Sequence, residues 1–420
     1  MSMSMTMGFS APMKFKANAV MNYNEQHHHA LDASYVKRAA ELSDLSAGFT
    51  SPHPNFGCVI AKNSKVFGEG YLYAQGTKPA EVQAVEAAGE YCRGATAYVN
   101  MEPEDCNNDN TSLSAFIKAG ITRVVIGIRN PLQHLRGNAI QTLRSEGLQV
   151  DVLGEDIRGV SMEDALKSCL VVNAPLLYRS AFQLPFSVLK YAMTLDGKIA
   201  TSSGHSLWIS NEKSRSRVFE LRGRSDVVIV GGNTLRKDNP RLTPRNGGAH
   251  LPTRIVMSQT LDLPEVANLW DVRDVPTIVV THRGARRSFQ KFLASKGVEV
   301  VEFDVFNPKK VAEYLYDRGY LSVLWECGGT LSASAILSGV IHKVHAFVAP
   351  KIIGGRNAPS PVGELGMVEM TQALELSDVS YEQIESDVLI SGYVQPIPDL
   401  TQSTIDPTLS LKIIGGRNKP

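Results

Sequence analysis

Residues 185–210 constrain the fold more than any other stretch. Pro185 precedes an apolar run carrying Val188, Leu189, Tyr191 and Met193, which breaks at Asp196-Gly197 and passes through a Ser/Gly-rich loop to Trp208. A buried strand that ends in a glycine turn, with an acid, lysines and hydroxyls around it, is how an α/β sheet presents groups to a ligand. Ligands in such sheets sit beyond the carboxyl ends of the strands. Further apolar runs follow at 227–231, 254–257, 277–281, 298–303, 321–326, 343–349 and 389–394. Helical patterns at 212–222, 285–296, 308–318 and 332–338 lie between them, so residues 186–398 read as one α/β domain. No G-x-G-x-x-G follows a first strand, which argues against a standard Rossmann cofactor site.

A second alternating region lies upstream, at 33–160. Helices are predicted at 33–45, 81–91 and 112–119, strands at 57–61, 66–73, 96–101 and 123–128, and a last helix and strand within 137–152. A connecting helix at 162–170 and prolines at 175 and 185 make 161–185 the linker. Two cores are within reach of 420 residues. Hydrophobic residues at 43% and charged residues at 20% are those of a globular chain, and no run approaches the roughly 18 apolar residues of a membrane span. A net charge of +1 and 7% aromatic residues give no support to nucleic-acid binding. Five scattered cysteines (Cys58, Cys92, Cys106, Cys169 and Cys327) without a Cys-x-x-Cys read as reduced thiols. Residues 1–32 form a leader rich in Ser, Met and Ala with no acid before Glu25, the composition of a transit peptide, though without arginine. His27-His28-His29 has no convergent fourth ligand nearby and reads as solvated. Residues 399–420 form a tail.

The stretch 189–210, LKYAMTLDGKIATSSGHSLWIS, resembles the entrance to the reductase domain of the bifunctional riboflavin-biosynthesis deaminase/reductases, and the likeness runs from about residue 33 almost to the end. It implies an N-terminal cytidine-deaminase-like α/β/α domain and a C-terminal dihydrofolate-reductase-like α/β domain, the latter a mostly parallel sheet with a late antiparallel return. HPNFGCVI (53–60) and GEGY (68–71) carry the first half of the resemblance, and Asn55, Phe56 and the 68–70 glycines would outline a pocket for a pyrimidine-like ring. Deaminases of that fold hold zinc with a His and two Cys, and a Glu two residues after the His moves protons. Here the triplet is Pro79-Ala80-Glu81, Glu104 follows Pro103 where a cysteine is expected, and the second cysteine position falls among Ser112 and Ser114. Cys106 is out of register. The expectation is a degenerate deaminase domain without zinc, with no metal site elsewhere, as in the plant-type monofunctional members. Some of those carry a further C-terminal domain, which has no counterpart here before residue 420.

For the reductase domain, Gly-Gly before a helix lets a phosphate approach backbone amides at a positive helix end. By resemblance, Gly328, Gly329, Thr330, Leu331, Ser332 and Ala333 belong to an NADPH pyrophosphate loop, and Ala192, Trp208, Thr234 and Asp238 are further cofactor positions. The basic run 281–288 is a candidate for the 2′-phosphate. Ser206, Arg222, Leu242, Arg245 and Glu326 match substrate-binding positions, arginine suiting phosphate through its bidentate fork. Lys190, Asp196 and Glu326 are the catalytic candidates, Asp196 being equally a turn residue. The resemblance implies NADPH-dependent reduction of 5-amino-6-(5-phosphoribosylamino)uracil by a homodimer joined through the reductase domain, in the plastid (chloroplast) stroma or, alternatively, the cytoplasm. Rival readings are a bifunctional deaminase/reductase and a non-catalytic deaminase-fold scaffold or nucleic-acid binder. The heptapeptide KIIGGRN occurs at 351–357 and again at 412–418, without explanation from sequence.

Overall fold

The computed structural model describes residues 23–104, 111–245 and 250–398. The leader before Tyr23, Asp105, Cys106 and the second KIIGGRN copy lie outside the described residues. The first sheet has the order β2-β1-β3-β4-β5, built from β1 (Gly57–Lys62), β2 (Lys65–Tyr71), β3 (Thr96–Met101), β4 (Arg123–Ile128) and β5 (Gln149–Val152). β1 and β2 form a hairpin whose two turn residues, Asn63 and Ser64, both adopt left-handed backbone (φ 51° and 61°), the geometry that suits the strand twist. Helices α1 (Tyr23–Asp44) and α2 (Ala80–Ala88) cover opposite faces; α3 (Thr111–Ala119), α4 (Asn138–Ser145) and α5 (Val160–Val172) complete the layers.

Two expected boundaries move. The first helix begins at Tyr23, inside the expected leader, and the last residues of that leader are built into the domain. Asp32 is buried, and its carboxylate accepts both Arg123 amino groups at 2.9 Å and the Tyr98 hydroxyl at 2.9 Å. The expected linker is two helices, α5 and α6 (Ala174–Phe182). Met162, Ala165, Cys169 and Val172 of α5 and Leu176 and Leu177 of α6 are part of the first core, while Ala174 and Tyr178 of α6 pack against Phe186 and Tyr393 of the second sheet, so α5 is built into the first domain and α6 joins the two.

The second sheet has nine strands in the order β10-β9-β8-β7-β11-β6-β12-β14-β13. In chain order they are β6 (Phe186–Thr194), β7 (Val227–Gly231), β8 (Thr253–Met257), β9 (Thr277–His282), β10 (Glu299–Phe303), β11 (Ser322–Trp325), β12 (Lys343–Ala349), β13 (Ser377–Ile384) and β14 (Asp387–Tyr393). The first seven are parallel, and β14 returns antiparallel to β12. The intervening helices are α7 (Glu212–Gly223), α8 (Gly232–Asp238), α9 (Arg287–Ser295), α10 (Pro308–Asp317) and α11 (Gly329–Leu337). Both faces are covered: Val227 and Ile229 enter one core, Val228 and Val230 the other, which is why these strands read as unbroken apolar runs. The Asn211 and Asn307 side chains cap α7 and α10 by accepting N–H bonds from Ser214 and Lys310, fixing where each helix starts.

The domains meet at the amino ends of β7 and β11. The Asp226 carboxylate accepts the Ser51 hydroxyl at 2.7 Å and the Leu321 and Ser322 amides at 2.7 and 2.9 Å. Arg224 pairs with Asp44 beside it.

Candidate active site

Strand β11 enters the second sheet between β7 and β6, although β7 leads outward through β8, β9 and β10. The order reverses there, and a cavity of about 1520 Å³ opens beyond the carboxyl ends of these strands. That exceeds the roughly 300–1,000 Å³ of a cleft for one small ligand, and leaves room for two ligands side by side.

The floor carries three coupled charges. Arg222, in the last turn of α7, donates from Nε and one Nη to the two Glu326 oxygens at 2.6 and 3.0 Å. Lys190, from the middle of β6, places its Nζ 3.8 Å from Glu326 Oε2. All three side chains are at least 85% buried. Burial acts to raise the Glu326 pKa, yet the Arg222 guanidinium and the Lys190 ammonium outweigh it and hold the carboxyl below its usual range. Burial also depresses the Lys190 ammonium, Arg222 adds to this, and Glu326 only partly restores it. A lysine readier than usual to release its proton therefore faces the cavity.

One wall is the turn after Glu326. Gly328 is the N-cap of α11, immediately before the helix, with extended backbone (φ −77°, ψ 170°) and no side-chain cap, so the first amides of the helix are unpaired with a side chain. A Cβ at Gly328 would meet nothing within 4 Å and would project into open space, whereas one at Gly329 would lie 2.5 Å from the Ser360 carbonyl oxygen. The two glycines thus do different things: the first leaves room for a ligand phosphate, the second admits a neighbouring loop.

The opposite rim is strained. Trp208 and Leu242 have φ of 63° and 56°, and Asn239 has 40°, left-handed values that side chains other than glycine rarely hold. Leu242 is buried, while Trp208 is 67% exposed with the Arg215 guanidinium 4.4 Å above its ring. Arg245 lies 4.7 Å over the Phe219 ring, and Ser206 donates to Asp238 at 3.3 Å. Strain of this kind collects at ligand sites.

Lys190, Ala192, Ser206, Trp208, Arg222, Thr234, Asp238, Leu242, Arg245, Glu326 and Gly328–Leu331 all line the cavity. Ser332, Ala333 and Asp196 do not. Ser332 is buried, and its hydroxyl donates to the Cys327 carbonyl, supporting the turn from behind; Ala333 is buried in the same helix. The Asp196 carboxylate accepts the Thr194 hydroxyl at 2.6 Å and the Ile353 and Gly354 amides at 3.3 and 2.7 Å. These bonds are those of the turn residue that Asp196 was equally expected to be. The basic run 281–288 is likewise off the cavity, with Arg283 engaged by Asp304. The cations that do line the wall, Arg236, Lys237 and Arg241, are not among the expected site residues, because the short charged helix α8 and its exit leave no apolar pattern in the sequence. Three basic residues within the nine positions after Gly231-Gly232 are the available signal.

Residues 185–390 match the RibD C-terminal domain, and residues 30–128 match the zinc-binding region of cytidine and deoxycytidylate deaminases. The chloroplastic riboflavin biosynthesis protein PYRR of Arabidopsis thaliana is 68% identical over 401 residues, covering 95% of this chain and 67% of that protein. The chain belongs to the RibD family. The PYRR protein of Zea mays is 66% identical over 381 residues, covering 89% of this chain and 61% of its own length, so the present sequence spans about two thirds of its plant relatives. Among solved structures, the diaminohydroxyphosphoribosylaminopyrimidine deaminase/5-amino-6-(5-phosphoribosylamino)uracil reductase of Thermotoga maritima superposes with a TM-score of 0.74 at 30% identity, covering 87% of this chain and 99% of its own.

Other side chains stand where the deaminase zinc ligands are expected. Pro79 is the N-cap of α2, immediately before Ala80, and its side chain offers no ligand atom. Glu81 is buried and accepts the Ser112 hydroxyl at 3.1 Å. The Glu104 carboxylate is engaged by His53 Nδ1 at 3.1 Å and by Asn130 Nδ2 at 3.4 Å. These residues do not fit a His/Cys/Cys zinc site, and among the described residues no cluster of three or more metal-ligating side chains exists. Of the residues expected to outline a ring pocket, Asn55 borders a small cavity beside His53 and Pro54, and the glycines do not. Gly68 and Gly70 sit in β2 where a Cβ would lie 2.1 and 2.3 Å from carbonyl oxygens of α2, so they serve close packing; Asn55 is tied to Thr50 and Asn100.

Proposed function

We propose that this chain is an NADPH-dependent reductase acting on 5-amino-6-(5-phosphoribosylamino)uracil and giving the 5-phosphoribitylamino product, in plastid riboflavin synthesis as its chloroplastic relatives suggest. The observation that carries the reading is a buried Lys190–Glu326–Arg222 cluster on the floor of the same cavity whose wall is the open Gly328 turn. The cavity amides at 329–331 and the cations Lys237 and Arg241, beside an Arg236 already engaged by Asp262 and Asn233, suit the phosphates of NADPH, which supplies a hydride to the substrate when bound.

The ribosylamine ring opens to a C=N bond and a free hydroxyl. Reduction adds hydride to the former anomeric carbon and a proton to nitrogen. Lys190 is the buried group placed to deliver that proton and to regain it from water, its depressed pKa favouring release. Glu326 and Arg222 hold its position and the substrate's polar edge, while Arg245, stacked on Phe219, is oriented for the substrate phosphate. Asp196 positions the loop it terminates. The first domain is proposed to be catalytically silent because Pro79 and Glu104 replace ligand positions. The homodimer is proposed through the outer edge of the second sheet, where Val379 and Tyr381 of β13 are exposed.

The deciding experiment supplies NADPH with the phosphoribosylamino-pyrimidine in deaminated or undeaminated form and assays zinc in the same preparation. Oxidation with the deaminated substrate alone supports the reading. Ammonia release with stoichiometric zinc overturns the silent-deaminase part, and no oxidation with either substrate overturns the reductase part. Light scattering tests the dimer, a monomeric mass removing it.

A further inference from the structure

The strap 351–363 that follows β12 contains the first KIIGGRN copy, and the reaction as described uses none of it. Its geometry is specific. Lys351 Nζ donates to the Trp208 carbonyl, and the Lys351 carbonyl accepts the Leu195 amide at 2.8 Å. The amides of Ile353 and Gly354 bind the Asp196 carboxylate. Gly355, left-handed at φ 91°, passes so near the 196–208 loop that a Cβ there would lie 2.6 Å from Ser202 Oγ. At its far end, the Gly363 amide donates to the Gly329 carbonyl at 2.9 Å. The strap therefore ties the loop carrying Trp208 to the glycine turn on the other side of the cavity.

Trp208 needs such a tie. A bulky side chain at φ 63° holds that conformation only when its surroundings over-determine it, and an indole 67% exposed is not fixed by packing. Its polar anchors are Arg215, over the ring, and Lys351, on the carbonyl. We propose that Lys351 is a positioning residue: by gripping the Trp208 carbonyl it holds that residue at the rim of the cavity, ready for the cofactor. The proposal rests on the reductase reading for the identity of the cofactor. It also gives the heptapeptide at 351–357 a purpose, with Lys351 for Trp208 and the Ile353-Gly354 amides for Asp196.

The test uses the full chain. Trp270 and Trp325 are buried, so fast depolarisation of tryptophan emission, and quenching by neutral acrylamide, report Trp208. In ligand-free protein, K351M is expected to enlarge the fast anisotropy component and the quenching, and K351R to restore both; W208F supplies the background. An exposed charge-assisted bond translates into a rise of about five- to tenfold in KM for NADPH in K351M, with a smaller change in kcat. Unchanged depolarisation and quenching in K351M overturn the proposal, and so does a loosened ring with unchanged KM. A wild-type chain that oxidises no NADPH would count against the reductase reading instead, because the ligand-free fluorescence comparison does not depend on it.

Discussion

Replacing Glu326 by glutamine separates the charge of this carboxylate from its shape. In the native site it neutralises two buried cations, Arg222 through bonds of 2.6 and 3.0 Å and Lys190 at 3.8 Å. At 3.8 Å an effective dielectric near 20 gives roughly 4 kcal/mol for the lysine contact alone. Removing one partner of a buried cluster leaves the others uncompensated, a loss of about 3–5 kcal/mol by analogy with broken buried pairs. Lys190 can limit that loss by shedding its proton, which makes the effect depend on pH. Its folded pKa already lies below the unfolded value of 10.5, so the unfolded chain binds more protons above that folded pKa, and stability contributed here rises with pH up to about 10.5. In E326Q the depression deepens, since Arg222 remains and the opposing carboxylate is gone. The stability gap between wild type and E326Q is therefore expected to be widest near neutrality and to narrow toward pH 10. The alkaline limb of NADPH oxidation, which reports protonated Lys190, should move to lower pH. Urea denaturation at several pH values and a pH–rate profile read the two effects. A gap below about 0.5 kcal/mol at pH 7, or an alkaline limb that stays in place, refutes the coupling.

Gly328→Ala should fold with nearly unchanged stability, its φ of −77° being allowed, yet bind NADPH less tightly because the methyl enters the cavity; Gly329→Ala should instead lower the melting temperature, as its methyl meets the Ser360 oxygen at 2.5 Å. Calorimetry with and without NADPH distinguishes them, and equal behaviour of the two variants contradicts the division of labour. Burial lowers the pKa of His342 and of His345 to about 3, Lys343 and Arg217 adding to the effect at His345, so both imidazoles are neutral in the folded state. Because the unfolded histidines bind protons below about pH 6.5, stability should fall as pH drops from 6.5 toward 3, with a slope of up to about 2.7 kcal/mol per pH unit for two protons; a flat profile between pH 6 and 4 rules this out. Dialysis against EDTA should leave the melting temperature unchanged, since Pro79 and Glu104 stand at ligand positions; a drop of several degrees, reversed by zinc, would show that the donor set was misjudged.

The parts of the site readable from sequence are those where a strand's end carries the chemistry. Strand β6 and its glycine turn, β11 followed by Glu326 and Gly-Gly, and Arg222 in the last turn of α7 each left a local pattern, and the fold brings them together. Asp196 shows the limit. Its spacing to Gly197 is the same for a catalytic acid and for a turn, and the contacts that favour the turn, the amides of Ile353 and Gly354, lie some 157 residues away. Strand β13 was missed because, as an outer edge lying mostly in solvent, Ser377–Ile384 has little apolar alternation to show. The helix α8 was missed because a seven-residue helix opened by glycines and rich in charge has no apolar stripe. The early start of α1 escaped for a related reason: what anchors its Asp32 is an ion pair with Arg123, 91 residues downstream, which no window on the leader can contain.

The contacts between the two domains give the first domain a part in the geometry of the site. Asp44 holds Arg224, a Cβ at Gly48 would lie 2.6 Å from the Gly223 carbonyl, and Ser51 donates to Asp226. These three contacts fall on residues 223–226, directly after Arg222, the residue that grips Glu326. Asp226 also takes the Leu321 and Ser322 amides that begin β11, and β11 ends at the residue preceding Glu326. Both partners of the central ion pair thus hang from backbone that the first domain braces. A shift of about 1 Å in either would be felt by a bidentate pair, because hydrogen bonds weaken steeply with distance and angle. The first domain holds that brace through its own packed core and the Asp32–Arg123–Asp151 network, with no metal required among these contacts. On these contacts, geometry at Glu326 depends on residues 44–51 as directly as on the strands of its own sheet.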